Sequence, residues 1–405
     1  MKEKIILHSD VNNFFASVEC SQNKNLKGKP VAVTGNPKKR TGIILAKNEQ
    51  AKKFGVKTGE AIWEAQQKCP DLIITPPHYD LYEKISKELH ELYLSYTDLV
   101  EPLGLDECWL DITPSLKYLG KTKEEIANEI RQKVKEKFGI TVSVGVSFSK
   151  LFAKLGSDLK KPDATTVINK EDIETKIYPL PLNSIVGIGG RLAKKFEKMN
   201  VNTIGDFVAL KESFVKELMG KTGVELQQKL KCEFEEPVAC YYDITPPKSI
   251  GNGTTTIVDV RSREEIAKVV AFLSEKVALR MANGSFHGST ISVSLKTNDF
   301  ERFHHSKTIS PIKTSEEIFE QAMMLIDSFW NFDRYVRAIR VKVSSLEKID
   351  KIEQLSFFDT EDTLNETLKN LKTRYGADKI YIASDSASFI NRKTKEEEHP
   401  QGYWI

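Results

Sequence analysis

Residues 4–20 of the chain, KIILHSDVNNFFASVEC, change their pattern at Asp10. The apolar residues before it predict a short strand over Lys4–Ser9, and the residues after it predict a helix over Phe14–Cys20. The sequence therefore predicts a carboxylate at the C-terminal end of a strand, next to a helix.

A second acidic group lies in residues 99–112, LVEPLGLDECWLDI. Apolar stretches on either side of a glycine predict a β-hairpin, with the adjacent acids Asp106 and Glu107 at its turn. Together with Asp10 these acids would give three hard oxygen ligands of the kind that Mg²⁺ prefers. Two such ions could activate a hydroxyl and stabilise a leaving phosphate oxygen. Spacing alone favours a simpler interpretation, namely a solvated Asp-Glu turn and a helix N-cap acid.

The remaining periodicity predicts two further regions after an α+β sheet domain that has an insertion between Asp10 and about Tyr82. A helical region runs from Pro181 to about Glu235, and a polar stretch, Glu236–Pro247, resembles a linker. A second small α/β domain follows. In the first domain we expect strands over Val31–Thr34, Thr41–Ala46 and Ile140–Val146 and helices over Asn48–Phe54, Glu60–Lys68, Asp80–Thr97 and Lys123–Phe138; in the second, strands over Thr255–Val260, Ser289–Thr297 and Tyr335–Ser344 and helices over Arg263–Ala282 and Ser315–Asn331.

Composition excludes several classes of protein. The 405 residues suffice for two to four domains, at roughly 150 residues each. No apolar run approaches the ~18 residues of a transmembrane helix, and the N-terminal apolar stretch is too short for a secretion signal. The five cysteines are scattered without a CxxC pair, which indicates a reducing compartment, most simply the cytoplasm.

Positive charge is concentrated in a few segments, although the net charge is only +3. Residues 36–57 hold seven Lys or Arg against one acid, Glu49. Two further clusters are Lys150, Lys154, Lys160 and Lys161, and Arg191, Lys194, Lys195 and Lys198. Solvated helix faces would explain each cluster singly, whereas several clusters together favour a polyanionic partner.

The sequence around the acids resembles the two catalytic motifs of Y-family translesion DNA polymerases, in particular those of the polymerase IV branch. The motifs are SDVNNFFASVE (Ser9–Glu19) and GLDECWLDIT (Gly104–Thr113). Further segments follow in that family's order, so the resemblance covers about residues 1–345. They are AKKFGVKTG (Ala51–Gly59), PPHYDLYEKIS (Pro76–Ser86), GVSFSKLFAKLGSDLKKPD (Gly145–Asp163), VGIGGRLAKKFEKMNVNTIGDF (Val186–Phe207) and KSIGNGTTT (Lys248–Thr256).

The resemblance implies an α+β multidomain fold of right-hand polymerase architecture, with palm, fingers and thumb and an additional α/β little-finger domain. The implied boundaries are 1–13 and 83–168 for the palm, 14–82 for the fingers, 169–235 for a thumb with a helix-hairpin-helix, 236–247 for the linker, 248–345 for the little finger and 346–405 for a C-terminal tail. The implied activity is error-prone, DNA-directed synthesis from dNTP on a primer-template, using two Mg²⁺ ions. We expect a monomer without membrane association.

Site residues follow from the matched positions. Asp10, Asp106 and Glu107 match the metal-binding carboxylates, and Val11 would add a backbone carbonyl. Phe15 matches the aromatic residue that excludes a ribose 2′-hydroxyl, and Phe14 beside it is expected to contact the substrate as well. An ordinary core aromatic is the alternative for Phe15.

The triphosphate contacts are less regular. Lys161 matches the lysine that meets the triphosphate, as a point charge after a basic helix. Lys52 stands where the family commonly has an arginine and would keep the charge without the bidentate fork. Glu49 replaces a common tyrosine; it would repel phosphate if it pointed inward, or it faces solvent. Asn12 replaces a second Asp that is not usually a metal ligand.

Two regions are expected to contact DNA. Gly187 and Gly189 form a tight turn before a basic helix, so their backbone N–H groups could approach a phosphate. In the strand Tyr335–Ser344, Arg340 and Lys342 alternate with apolar residues and would form a cationic sheet face. A glycine turn between helices and a solvated sheet face are the alternatives.

The pentapeptide QLSFF at residues 354–358 resembles the motif that binds the bacterial sliding clamp (β clamp). Gln354, Leu355, Phe357 and Phe358 suit a peptide anchored in apolar pockets, although the aromatic pair could instead fold back onto the protein. The alternative function is a catalytically silent DNA-binding accessory protein that the clamp recruits. Retention of all three acids argues against it, and Glu49 and Lys52 argue weakly for it.

Overall fold

A computed structural model describes residues 4–36, 42–234, 236–243 and 246–349. Contacts divide the chain into two compact units. The first comprises Met1–Val33, Ile44–Thr75 and Asp80–Ile244, and the second comprises Thr34–Ile43, Pro76–Tyr79 and Thr245–Ile405. The predicted carboxylate site belongs entirely to the first unit.

The described residues form twelve strands and twelve α-helices. In chain order the strands are β1 (Ile6–Val11), β2 (Val31–Thr34), β3 (Ile44–Lys47), β4 (Ile73–Thr75), β5 (Val100–Leu103), β6 (Glu107–Asp111), β7 (Val142–Ser147), β8 (Thr165–Val167), β9 (Ser249–Val260), β10 (Phe286–Thr297), β11 (Arg302–Ile312) and β12 (Val336–Lys348). The helices are α1 (Phe14–Gln22), α2 (Glu49–Lys53), α3 (Ile62–Lys68), α4 (Tyr79–Leu94), α5 (Leu116–Leu119), α6 (Lys123–Phe138), α7 (Lys150–Leu159), α8 (Gly190–Glu197), α9 (Ile204–Ala209), α10 (Glu212–Leu230), α11 (Arg263–Asn283) and α12 (Ser315–Phe329).

A five-stranded sheet in the order β5-β6-β1-β7-β8 carries the first predicted motif. The strand β1 pairs antiparallel with both β6 and β7, and all of its residues are buried. Helices α6 and α7 pack on β7, and α7 also contacts β1. The strand β1 extends two residues beyond its predicted end at Ser9, so Asp10 lies within β1 instead of after it.

Local signals explain why the helix α6 begins and ends where the sequence predicts. The side chain of Thr122 accepts from the backbone N–H of Glu125, and the backbone N–H of Thr122 donates to the Glu125 carboxylate, so a capping box starts the helix. Gly139 ends it in the left-handed conformation, with φ of 67°.

A three-stranded sheet in the order β3-β2-β4 occupies the predicted insertion. Its two predicted strands are present, although the second begins three residues later than expected. The strand β4 has only three residues and was not predicted; it pairs parallel to β2. Helices α2 and α3 cover an apolar cluster that includes Ala32, Ile44, Ala51 and Ile62.

The predicted helical region contains α8, α9 and α10 around their own apolar cluster, in which Phe196 and Phe207 are fully buried. Residues 236–243 then continue the first unit without a helix or strand. Glu236 accepts a hydrogen bond from Lys150 at 3.3 Å, and Val238 is only 5% exposed. A free linker, as composition predicts, could therefore begin only after these residues.

The second unit contains a four-stranded antiparallel sheet in the order β11-β10-β12-β9. Helices α11 and α12 pack against it around a core that includes Leu273, Val293, Ile326 and Val341. All predicted strands and helices of this region are present. The edge strand β11 was not predicted.

Two further observations concern the whole described chain. None of its helices combines the length and the apolar character that a transmembrane span needs. All five cysteines carry free thiols.

Candidate active site

The central sheet brings the three predicted carboxylates to one edge. Asp10 on β1 lies directly opposite Glu107, the first residue of β6. Asp106 precedes Glu107, and its carbonyl oxygen accepts a hydrogen bond from the N–H of Val11 at 3.0 Å. Antiparallel pairing thus joins acids that are about one hundred residues apart in sequence. The structure places the three side chains and the Val11 backbone together as the sequence predicts.

The three acids repel one another in a partly dry environment. Burial, together with repulsion from Asp10 and Glu107, raises the pKa of Asp106 to about 7. Burial also raises the pKa of Asp10 to about 6, although Lys161 opposes this shift. Asp106 has no cationic ion-pair partner among the described residues. The site therefore holds negative charge that the described side chains do not fully neutralise.

Lys161 lies at the carboxylates. Its ammonium group is 2.7 Å from Asp10 Oδ2 and 2.8 Å from Asp158 Oδ1, and its side chain is 28% exposed. Burial alone would lower the pKa of Lys161, but the two carboxylates raise it above its usual value. The predicted phosphate-binding lysine therefore stays charged beside the acid that the sequence assigns to the metal.

Glu107 has different partners. Its Oε2 atom accepts a hydrogen bond from the ammonium group of Lys154 and lies 3.3 Å from Nε2 of the buried His8. Burial would raise the pKa of Glu107, but His8 and Lys154 outweigh it and hold that pKa at about 2. Glu107 is therefore ionised, and neither of these two partners was predicted from sequence.

The donor set fits hard divalent cations. Asp10 Oδ1 and Glu107 Oε1 have no hydrogen-bond partner among the described residues, because the lysines contact the other oxygen of each carboxylate. No group of three His, Cys, Asp or Glu side chains in the described ranges is already gathered around one metal position. Carboxylate oxygens with unneutralised charge nevertheless match the chemistry of Mg²⁺, which takes few protein ligands and keeps some of its waters.

The aromatic pair at the start of α1 divides into a buried and an accessible ring. Phe14 is 4% exposed, whereas Phe15 is half-buried. The ring of Phe15 stacks on Tyr82, with centroids 4.3 Å apart and planes 12° from parallel. The Tyr82 hydroxyl in turn donates to Glu19. Tyr82 was missed from sequence, since nothing local marks a stacking partner 67 residues away.

Glu49 does not simply face solvent. Its Oε1 atom accepts a hydrogen bond from Asn13 Nδ2 at 2.8 Å and lies 3.5 Å from the ammonium group of Lys52. Asn13 immediately precedes α1 in the left-handed conformation, with φ of 54°. The carboxylate therefore ties α2 to the start of the helix that carries Phe15 and partly neutralises Lys52, whose side chain is 52% exposed.

Asn12 acts as a structural link. Its Oδ1 accepts from the backbone N–H of Asp163 at 2.9 Å and from Thr141 Oγ1 at 3.0 Å, and its Nδ2 donates to Ser143 at 2.9 Å. Asn12 therefore anchors the loop that follows Lys161, which fits the expectation that it is not a metal ligand.

Comparison with known proteins identifies the family. A sequence profile described as the impB/mucB/samB family matches residues 9–158, which include all three carboxylates. The profile of that family's C-terminal domain matches residues 247–357, and the IMS family HHH motif matches residues 170–201. DNA polymerase IV of Acetivibrio thermocellus is 41% identical over 92% of this chain and 95% of its own length. The chain belongs to the Y family of DNA polymerases.

Other relatives agree. DNA polymerase IV 1 of Bacillus subtilis is 32% identical over 93% of the chain and 91% of its own length. A solved Y-family DNA polymerase chimera of Dbh and Dpo4 superimposes with a TM-score of 0.75 at 28% identity, covering 85% of this chain and all of that one. An insertion ternary complex of Dbh DNA polymerase gives a TM-score of 0.61 at 27% identity, with the same coverage. These similarities confirm the predicted multidomain α+β fold and the polymerase IV resemblance. The protein is a DNA-directed DNA polymerase of the translesion class, a metal-dependent nucleotidyltransferase. Nothing in these similarities favours the alternative of a catalytically silent accessory protein.

The polymerase carries an accessible glycine turn in its helical region. Gly187 has φ of 99°, which favours glycine, and Gly189 caps α8. A Cβ atom at Gly189 or Gly190 would meet no protein atom within 4 Å, so packing does not demand glycine there. The four cations of the adjacent basic cluster are exposed and form no ion pair among the described residues: Arg191, Lys194, Lys195 and Lys198.

One face of the second unit's sheet carries Arg340 and Lys342. The alternation is as predicted, since Ile339, Val341 and Val343 are buried while Arg340 is exposed and Lys342 is half-buried. Small residues flank both cations across the strands: Gly253 and Ser294 beside Arg340, and Gly251 and Ser292 beside Lys342. Neither cation has an ion-pair partner in the described part of the chain. The predicted clamp motif lies outside the described residues.

Proposed function

We propose that the polymerase transfers a nucleotide from dNTP to a primer 3′-hydroxyl with two Mg²⁺ ions held by Asp10, Asp106, Glu107 and the Val11 carbonyl. The observation that carries this proposal is the strand pairing that sets Asp10 opposite Glu107 and beside Asp106, which has no cationic ion-pair partner among the described residues. Three acids held this close together repel one another, and such an arrangement is typical of a site that binds cations. Mg²⁺ bound there would favour the alkoxide form of the primer hydroxyl and neutralise the departing pyrophosphate.

In this reaction the primer oxygen bonds to the α-phosphorus, the bond from that phosphorus to the bridging oxygen breaks, and pyrophosphate leaves. Lys161 is the group on this chain suited to the triphosphate, because it is charged, partly exposed and near the carboxylates. Its contact with Asp10 would give way to phosphate oxygens when dNTP binds. Lys52, partly neutralised by Glu49, would contribute less.

Sugar selection falls to Phe15, the accessible ring of the aromatic pair. Its stack on Tyr82 limits movement of the ring, so a 2′-hydroxyl at that position would find neither space nor a hydrogen-bond partner. Phe14 is buried against Phe15 and Tyr82 and would act on the substrate mainly by supporting Phe15.

Primer-template binding would use two sets of groups. The turn at Gly187 and Gly189 leaves backbone N–H groups open to a phosphate, with exposed cations on the helix that follows. On the sheet face, small neighbours leave Arg340 and Lys342 room to reach the DNA backbone. Both surfaces would bind without reading sequence, as a general polymerase requires.

Assembly and location complete the proposal. We propose that the palm, fingers, thumb, little finger and tail have the boundaries that the resemblance implies, that the linker is shorter than 236–247, and that the protein acts as a cytoplasmic monomer. Gln354, Leu355, Phe357 and Phe358 would dock on the bacterial sliding clamp. The free thiols of all five cysteines support a reducing compartment.

A metal titration tests the catalytic proposal. Extension of a labelled primer-template by the full-length protein, stripped with EDTA and then given increasing Mg²⁺, should be absent without metal and rise with a Hill coefficient above one. Addition of dNTP opposite the wrong template base serves as the control for template direction. Extension that persists in excess EDTA would overturn the assignment of the carboxylates.

A further inference from the structure

The two oxygens of Glu107 have different surroundings. Oε2 is contacted by Lys154 and His8, while Oε1 has no hydrogen-bond partner among the described residues. We propose that Lys154 is a positioning residue that fixes Glu107 through Oε2 and thereby leaves Oε1 as the oxygen offered to the catalytic metal. This inference rests on the proposed function.

The side chain of Lys154 is nearly buried. It is only 11% exposed, and Glu107 is its ion-pair partner among the described residues. Lys161 differs, because it is 28% exposed and divides its contacts between Asp10 and Asp158. A buried lysine with one carboxylate partner suits a permanent support, whereas a partly exposed lysine with two partners suits a group that moves to a substrate.

His8 lies beside the same oxygen without supporting it. The imidazole is completely buried, and its Nε2 atom lies 3.3 Å from Glu107 Oε2 but forms no hydrogen bond with any described residue. The other nitrogen, Nδ1, lies 2.8 Å from Ser157 Oγ, which also lies 2.7 Å from the carbonyl oxygen of Lys154. Ser157 therefore links the imidazole to the helical turn that carries Lys154.

Backbone packing explains how α7 reaches this position. Gly145 on β7 lies directly beside His8 on β1. A Cβ atom on Gly145 would lie 1.9 Å from the carbonyl oxygen of Ala153, and one on Gly156 would lie 3.2 Å from the Cα of Gly145. The helix and strand thus meet backbone to backbone, which brings the side chains of α7 within reach of His8 and Glu107.

Lys154 acts on the proposed metal ligand Glu107 through its hydrogen bond to Oε2. Partners of this kind typically account for ten- to hundredfold of metal affinity, because they fix the orientation of the ligand. A lysine that served only as a counter-charge would have the opposite effect, since its removal would make the site more negative and bind Mg²⁺ as tightly or more tightly.

The variant Lys154→Met separates these roles. We expect the Mg²⁺ concentration for half-maximal single-nucleotide insertion, at saturating DNA and dNTP, to rise about ten- to hundredfold. Binding of Mn²⁺ to the metal-free protein, followed by electron paramagnetic resonance, should weaken in parallel. Lys154→Arg, which can still donate to Oε2, should recover most of both losses.

Lys150→Met is the matched control, because Lys150 is a buried lysine on the same helix that pairs with Glu101 at 2.6 Å. It should lower thermal stability without changing either metal measurement. Metal measurements for Lys154→Met that equal those of the wild type, or that indicate tighter binding, would overturn the positioning role even if its melting temperature fell. Failure of the wild type to require Mg²⁺ would instead overturn the proposed function.

Discussion

Replacing Phe15 with alanine should relax sugar selection by an amount that the structure allows us to estimate. To admit a 2′-hydroxyl, the ring must leave its stack on Tyr82, whose centroid is 4.3 Å away. Losing an aromatic stack costs about 0.5–1.5 kcal/mol. Exposing the buried half of a phenylalanine ring costs about another 1–1.5 kcal/mol. The sum, about 1.5–3 kcal/mol, corresponds to roughly 13- to 160-fold discrimination against rNTP.

The assay is single-nucleotide insertion of matched dNTP and rNTP, with kcat/KM measured for the wild type, Phe15→Ala and Phe14→Ala. Phe15→Ala should raise the rNTP-to-dNTP ratio by the estimated factor. Phe14→Ala is the comparison variant: its ring is 4% exposed, so its removal should cost about 3–5 kcal/mol of stability and lower both rates. Because Phe14 packs against Phe15, the rNTP-to-dNTP ratio should rise less than in Phe15→Ala. A Phe15→Ala variant with an unchanged ratio and reduced thermal stability would show that Phe15 is only a core residue.

Three further predictions concern DNA, pH and the clamp. Replacing both Arg340 and Lys342 with serine should weaken primer-template binding and reduce the slope of the log binding constant against log salt concentration by about 1.8. Fluorescence anisotropy at several salt concentrations measures this slope, and an unchanged slope would contradict the prediction. Burial lowers the pKa of His90 to about 4 from 6.5, so its stabilising effect is present above pH 6.5 and declines as pH falls toward 4. The contribution of His90 to the free energy of unfolding should fall by about 3 kcal/mol between pH 7 and pH 4. Denaturant unfolding at the two pH values measures this fall, and the His90 contribution should be absent in His90→Gln. Replacing Phe357 and Phe358 with alanine should abolish stimulation by the sliding clamp while clamp-free synthesis stays the same; stimulation that survives would reject the motif.

Hydrophobic periodicity was sufficient to locate the elements that carry the acids. The short apolar run before Asp10 and the hairpin around Asp106 and Glu107 have strong local patterns, and antiparallel pairing then brings the acids together. Long amphipathic helices such as α6 were predicted to the residue, because capping signals mark both ends.

The missed elements lack such signals. The strands β4 and β8 have three residues each, too few to show a period. The edge strand β11 is exposed along most of its length, so its sequence has no apolar alternation. The strand β9 begins six residues earlier than predicted, because Gly251 and Gly253 weaken the strand pattern there.

Contacts within the site depend on residues that are far apart in sequence. The bond between His8 and Ser157 spans 149 positions, and the stack of Phe15 on Tyr82 joins the two ends of the insertion. No local pattern specifies such a pair. The partial neutralisation of Lys52 could not be predicted either, since the orientation of Glu49 depends on the hydrogen bond from Asn13.

Primer extension by Asp106→Asn, an isosteric change that replaces a carboxylate by an amide, tests the proposed metal-dependent chemistry most directly. Asp106 has no cationic partner among the described residues, and burial with repulsion from its neighbours raises its pKa to about 7, so the metal-free fold should not lose thermal stability. Extension should be abolished while the dissociation constant for primer-template DNA, measured on the same preparation, stays within a few-fold of the wild type, because we propose that basic groups elsewhere bind the DNA. Robust extension by Asp106→Asn would contradict the assignment of nucleotidyl transfer to these three carboxylates.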